Sequence, residues 1–372
     1  MKRWHKSGVL LLLALLLTAC AQTESAVAPQ SAAAPIGSMA LQYAEQFAVD
    51  YYDGGVSLVT VAGEERYLLV PDGAEAPEIA DATVLRTPMD HLYLASSGAM
   101  DPFRQLGALD SVRFTSTTAA DWSLTEVADA LGTGEMLYAG KYRAPDYELL
   151  LSEGCSFAIE NTMILHSPAT REQLEALGIP TMVERSSYEA HPLGRMEWIK
   201  LYALLVGKEA EAEAFFTRQT AALDGILNGE STGKTVAFFY LNPNGYVNVR
   251  RPGDYLSKMI ELAGGCYVPA ELETEDNALS SMNMQLEAFY VGAKDADVLI
   301  YNSNIYPMDS VAQLIAANEL FADFKAVQNG EVWATEQNLF QETSAVGGMI
   351  ADFHAVLTGT AGDTLTYLRR LR

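Results

Sequence analysis

Arg250 and Arg251 stand side by side in an otherwise acidic chain, shortly after Tyr240, Asn242, Asn244 and Tyr246. A guanidinium group presents a planar fork of donors that matches carboxylate or catecholate oxygens. A tyrosine offers an apolar face with a polar tip. Together they read as a surface for an anionic, oxygen-rich ligand, with at most one of the two arginines facing inward. The plainer reading is a basic hairpin tip in solvent. A second set, Arg185, Ser187, Tyr188 and His191, follows a short strand-like run, and Met100, Tyr142, Asn161 and Met163 occupy comparable strand ends. For most Tyr and Met at such places the ordinary role is packing.

Catalytic patterns are missing. The chain has no HExxH and no CxxC, and its one GxSxG string, Gly229-Glu230-Ser231-Thr232-Gly233, follows a helical run and precedes a strand, the reverse of a nucleophile elbow, so neither an activated serine nor a zinc site is expected. Beyond the first residues its histidines are His91, His166, His191 and His354. They are too scattered for a metal site and read as structural or surface groups; His191 or His354, with a Met, could at most serve as an axial ligand to haem iron. No catalytic residue and no resident metal or cofactor is therefore expected. A secreted hydrolase remains a distant alternative, as does a ligand sensor.

The elements that must position these residues follow from hydrophobic periodicity. Phe47 to Val61 reads as a hairpin around Asp53-Gly54-Gly55, and Arg66 to Val70 as a further strand. Strands then alternate with helices. Short apolar runs at 91–95, 112–115, 157–159 and 181–183 are separated by helical patterns, one of them opened by a Ser123/Glu126 capping box and one capped by Ser96-Ser97. From Leu193 to Leu227 the pattern is helical without a strand, interrupted at Gly207. Alternation resumes with a strong strand at 235–241, helices at 254–262, 284–291, 311–317 and 346–357, and strands at 298–301 and 332–334. This order predicts an α/β protein of two lobes, each with a central parallel or mixed sheet flanked by helices, joined by a single long helix.

Composition agrees. The chain has 372 residues, 49% of them apolar, so it can build a core. Lys and Arg total 24 against 48 Asp and Glu, a net charge of −24, which excludes a nucleic-acid surface. Three cysteines make no disulfide scaffold. Cys155 and Cys266 are expected in different lobes as free, buried thiols.

Residues 1–19 read as a secretion signal: Lys2, Arg3 and Lys6, then an apolar run from Val9 to Leu17. Leu17-Thr18-Ala19-Cys20 resembles a lipobox, which implies that Cys20 is acylated and anchors the protein to a lipid bilayer, outside the cytoplasm of a bacterial cell. Removing the signal takes three basic residues and no acids, leaving a body of −27. Such a body would be repelled by anionic lipid, and a covalent anchor answers that. Residues 20–38 form the lipidated cysteine and a flexible Ala/Ser/Pro-rich tether. The N-terminal lobe is assigned to 39–207, the backbone helix to 208–229 and the C-terminal lobe to 230–372.

Several stretches carry a resemblance. They are Ala144-Pro145-Asp146-Tyr147-Glu148, Met284-Gln285-Leu286-Glu287 followed by Asp297-Val298-Leu299-Ile300, Leu262-Ala263-Gly264-Gly265, and Ala326-Val327-Gln328-Asn329-Gly330-Glu331-Val332. With Glu184-Arg185-Ser186-Ser187-Tyr188 and His191-Pro192-Leu193-Gly194-Arg195, and in this order, the chain over 40–372 resembles the helical-backbone (class III) substrate-binding lipoproteins of ABC transporters. That family serves iron–siderophore, haem and cobamide uptake. Cys155 and Phe157, where Pro-Asp is usual, and Cys266, where Asn or Val is usual, depart from its pattern. The resemblance implies a monomer that holds a ferric siderophore-type chelate between its lobes, or alternatively a cobamide or haem, and delivers it to a permease with its ATPase. It implies that Glu148 and Glu287, one per lobe, pair with permease arginines.

Overall fold

A computed structural model describes residues 34–269 and 281–372. The signal and Cys20 lie outside the described residues, as does most of the tether. Gly37 and Ser38, assigned above to the tether, already pair as a strand with Tyr51 and Asp50.

Three principal sheets organise the chain. The first holds Gly37–Ser38, Phe47–Tyr51, Ser57–Val61, Glu65–Pro71 and Thr83–Thr87 in sequential order. Its pairs are antiparallel except the last. The hairpin at 47–61 is as its sequence predicts; the five-stranded sheet around it is not evident from the sequence, because Thr83–Thr87 alternates too weakly to read as a strand. The second sheet is parallel throughout, in the order Thr181–Val183, Phe157–Glu160, Leu92–Leu94, Val112–Thr115, Leu137–Tyr138. The third is mixed. Its centre is Thr235–Leu241, parallel to Val298–Tyr301, which is parallel to Val332–Thr335. Leu368–Arg370 closes one edge.

The other edge of Thr235–Leu241 is shared. Val247–Arg250 returns antiparallel beside residues 239–241, while Cys266–Val268 runs parallel beside residues 235–237. The chain from Arg251 to Gly265 leaves and rejoins the sheet edge at the gap between them. Arg250 therefore ends the returning strand, level with the middle of Thr235–Leu241, and the hairpin tip is Asn242–Gly245 instead.

Pro192–Glu197, Ile199–Val206 and Glu209–Leu227 make the helical middle. Trp198 adds a break that periodicity does not reveal; Gly207 ends the second helix with a left-handed φ of 68°, a conformation glycine adopts without strain. Ile199–Val206 is buried on every side, Lys200 included. One continuous apolar core then runs from the first sheet (Phe47, Val59, Leu69), through Leu94, Ile159, Trp198 and Phe216, into the C-terminal lobe (Phe238, Ile300, Trp333, Phe353). The lobes share a core across the helix pair, so they are not free bodies on a linker.

Two buried carboxylates fasten the start of the folded body. Glu197 accepts backbone N–H bonds from Gln42, Tyr43 and Ala44 at 2.8–3.0 Å and pairs with Lys200. Glu189 accepts those of Glu45 and Gln46, and the Trp198 indole at 2.7 Å. Five consecutive N–H groups of a non-helical segment, all next to the core, are thereby satisfied.

Three local expectations are corrected. The helix Thr125–Thr133 has Leu124 before it and no side-chain cap; the Ser123 hydroxyl donates to Gln341 of the other lobe at 2.6 Å, and that acceptor displaces the capping box. Ser96 likewise makes no cap; its hydroxyl donates to Glu184 at 3.2 Å. Cys155 and Cys266 are free as expected, but Cys266 is exposed on its edge strand. Cys155 is partly buried, and burial pushes its thiol up to about 12, which leaves it inert.

Candidate functional site: an interlobe cleft

The carboxyl ends of the parallel strands in the two lobes face each other. Gly98, just beyond Leu92–Leu94, accepts from the Thr343 hydroxyl at 2.5 Å. Asp101, fully buried and paired with Arg104, accepts from the Ser344 N–H at 2.9 Å. Gln341 accepts from Ser123 and donates to the Asp121 carbonyl at 2.7 Å. In open α/β sheets the crevice outside the carboxyl strand ends is where ligands bind. Here two such crevices are opposed.

A guanidinium cluster lies at this junction. Arg195, from the helix Pro192–Glu197, approaches Gly98 of its own lobe and sits 4.5 Å over the Tyr255 ring of the other. Burial works against its charge, but Tyr255, Glu184 and Asp254 outweigh that and hold its pKa above the ordinary arginine value. Arg185 lies 5.4 Å over the Tyr188 ring. The Nε atoms of Arg185 and Arg195 are sealed from solvent and make no hydrogen bond. Arg250 packs 5.7 Å from the Phe340 ring and 3.5 Å from Asp254. Asp254 is buried, and desolvation raises its pKa despite Arg250 and Arg195. Arg251 is partly buried beside it. Arg185, Arg195 and Arg250 thus stand with two buried acids, Glu184 and Asp254, in a strongly acidic body. Local positive potential at such a place attracts an anion.

Not every residue expected at the ligand reaches this cleft. Met100 is fully buried in the core, because it begins the helix Met100–Gln105 and faces inward, so it touches no ligand. His191 is spent elsewhere: its ring stacks on Tyr43 at 4.5 Å, and its Nδ1 accepts from the Leu193 N–H. Burial lowers its pKa. His354 Nδ1 bonds to the Ala263 carbonyl, so both histidines are engaged away from the cleft. Tyr142 packs on the outer face of the second sheet. Asn161 organises its own turn, accepting from Met163 N–H and donating to Ala95 carbonyl. Met163 is exposed beyond the strand Phe157–Glu160. Tyr240, Asn242 and Tyr246 lie at the end of Thr235–Leu241, and Tyr188 is partly exposed beneath Arg185. Among the described residues no group of three or more His, Cys, Asp or Glu could hold a metal ion.

A cavity of about 460 Å³ lies on the outer side of the N-terminal lobe, lined by Arg66, Tyr67, Asp81 and Arg171 among others. Arg171 is already paired with both Glu65 and Glu175, and no residue of the second lobe reaches it. The opposed strand ends are the better site.

Glu148 and Glu287 are both exposed, each in the first turn of a helix, Tyr147–Ser152 in one lobe and Leu286–Ala293 in the other. One turn further along, each helix shows an exposed aliphatic residue, Leu151 and Val291 respectively.

Two α/β lobes, a shared helical spine and opposed strand ends define a cleft-binding protein. Residues 105–339 match the family model for periplasmic binding proteins, and the chain belongs to that family. Two similar proteins are the uncharacterized lipoproteins MJ0878 and MJ0872 of Methanocaldococcus jannaschii. The first is 22% identical, covering 81% of this chain and 77% of that protein; the second is 23% identical, covering 91% and 88%. Among solved structures, the fold is similar to the periplasmic haem-binding protein HutB of Vibrio cholerae, with a TM-score of 0.60, 16% identity, and coverage of 74% of this chain and all of that one. It is also similar to the vitamin B12-binding protein BtuF of Vibrio cholerae, with a TM-score of 0.52, 17% identity, and coverage of 73% and 97%. Those two solved proteins are named for binding haem and vitamin B12; the property shared with this chain is the fold.

Arg195, Tyr255 and Phe340 escaped the sequence reading as site residues. Arg195 falls inside a helical run, where nothing in the pattern separates an arginine that reaches the other lobe from one in solvent.

Proposed function

We propose that this chain is a lipid-anchored extracytoplasmic binding protein that captures an anionic ferric chelate between its lobes and passes it to an ABC permease and ATPase. One observation carries the reading: Arg195 and Arg250 converge on the buried Asp254 at the interlobe junction, and Arg185 lies just beyond the carboxyl end of the strand Thr181–Val183, in a body whose charge is otherwise strongly negative. A charge-assisted fork to chelate oxygens is strong and directional. It would also satisfy the Nε atoms of Arg185 and Arg195, which lack partners. A haem or cobamide ligand is the alternative within the same role.

Delivery is assigned to the two rims. Glu148 and Glu287 would each meet a permease arginine, and the exposed Leu151 and Val291 beside them add apolar area to each contact. Carboxylates on both lobes fix orientation through paired contacts. Acylated Cys20 would keep the body at the bilayer. Calorimetric titration of the signal-free protein with ferric chelates tests ligand capture. A wild-type protein that binds none of them refutes it. Cys20→Ser is expected to release the protein from membranes, and continued membrane association would refute the anchor.

A further inference from the structure

Two adjacent strands of the C-terminal lobe end in the same five-residue pattern. After Thr235–Leu241 comes Asn242-Pro243-Asn244-Gly245-Tyr246; after Val298–Tyr301 comes Asn302-Ser303-Asn304-Ile305-Tyr306. The strands are parallel neighbours, with Phe239 opposite Tyr301, so the two loops leave the sheet about 5 Å apart. Both turns are built alike. The Asn242 side-chain oxygen accepts from the Asn244 N–H at 3.0 Å and the Tyr246 N–H at 3.1 Å. The Asn302 oxygen accepts from the Asn304 N–H at 3.3 Å.

Each turn ends by holding a tyrosine out from the protein. Tyr246 is 38% exposed, Tyr306 39% and the intervening Ile305 48%. Tyr306 is supported from behind by Tyr240, at 5.9 Å between ring centroids. The second loop is also tied to the interlobe junction, because Asn304 donates to the Gln337 carbonyl at 2.8 Å, and the segment from Gln337 continues to Phe340 and Gln341, which meet Arg250 and the other lobe. Exposed aromatic and aliphatic groups gathered at a cleft mouth are costly in water unless something covers them.

From this repeated loop we infer that Tyr246 and Tyr306, with Ile305, form an aromatic wall that stacks on the face of a flat, π-conjugated ligand, while the arginines hold its anionic edge. The inference rests on the anion-carrier reading above and narrows its ligand class to chelates with extended aromatic surface. A ferric catecholate and a haem-type macrocycle share that chemistry; a ferric hydroxamate does not. Tyrosine contributes here by its ring, so Phe serves in its place and Leu does not.

The test is calorimetric titration with three probes: haemin, a ferric tris-catechol complex and a linear ferric tris-hydroxamate. It compares wild type with Tyr246→Leu, Tyr306→Leu, the double Leu variant and the two Phe variants, each checked for an unchanged melting temperature. At least one aromatic probe is expected to bind wild type, and which one identifies the source. Each Leu substitution is expected to weaken it about fivefold and the pair about 25-fold, with Phe variants within about twofold. Leu variants that bind as wild type, Phe variants that fall as far as Leu, or a hydroxamate bound as tightly as either aromatic probe would each overturn the inference. If wild type binds an anionic chelate and Arg185→Ala weakens it while the tyrosine variants do not, the anion-carrier reading stands and the aromatic wall falls. If wild type binds no probe, both fall.

Discussion

Glu160 ends the strand Phe157–Glu160 and has no exposed surface, yet neither carboxylate oxygen makes a hydrogen bond. The nearby Tyr93 hydroxyl is buried and equally without a partner. Desolvation pushes the Glu160 carboxyl up to about 8 from an ordinary value of 4.5, so the folded protein keeps a proton that the unfolded chain gives up. The acid therefore costs stability progressively as pH rises from 4.5, and the cost levels off above about pH 8. At roughly 1.36 kcal/mol per pH unit, the interval from pH 5.5 to 8 amounts to about 3 kcal/mol. Glu160→Gln is nearly isosteric and does not titrate, so it removes this slope. Urea unfolding of both proteins at pH 5.5, 7, 8 and 9 reads the difference directly, and contributions from other groups cancel between them. The variant is expected to gain about 3 kcal/mol on wild type between the first and third conditions and little after that. A stability difference that stays constant with pH would show that Glu160 is ionised or hydrogen-bonded in the fold and refute the reasoning.

Glu197→Ala orphans the N–H groups of Gln42, Tyr43 and Ala44 and is expected to cost about 3 kcal/mol, with faster hydrogen exchange at those three amides; unchanged exchange there would count against the clamp. Gly194→Ala would place a Cβ 2.7 Å from the Tyr43 carbonyl oxygen, so a loss of about 1–3 kcal/mol is expected on urea unfolding. Charge reversal of both Glu148 and Glu287 to Lys is expected to leave ligand affinity within about twofold and to slow uptake in reconstituted vesicles at least tenfold; equal uptake would remove the docking assignment. Arg185→Ala is expected to weaken binding of an anionic chelate by about tenfold, the value of one charge-assisted hydrogen bond.

The two-lobe plan was legible because its carriers are local. Val298–Tyr301 and Val311–Ala317 announce themselves through apolar runs and periodicity, and Asn329-Gly330 marks the turn before Val332. The site was harder. The paired arginines were visible as residues, but Arg250 owes its place to a sheet edge shared between two strands, which no single stretch of sequence encodes. Ser123 and Ser96 resembled helix caps and became long-range donors, since Gln341 and Glu184 are acceptors that only the tertiary fold supplies. His191 and Met100 illustrate the converse: residue types suited to a ligand, placed at strand ends, and claimed by packing. The echo between Asn242–Tyr246 and Asn302–Tyr306 was present in the letters and gained meaning only when Phe239 and Tyr301 proved to be neighbours.

Capture of an anionic iron chelate between the lobes is tested most directly by equilibrium titration of the signal-free protein with a panel of ferric chelates at low and high salt. Saturable one-to-one binding, weakened by salt and by Arg185→Ala, is the expected result. A protein that binds no ferric chelate under either condition would contradict the account.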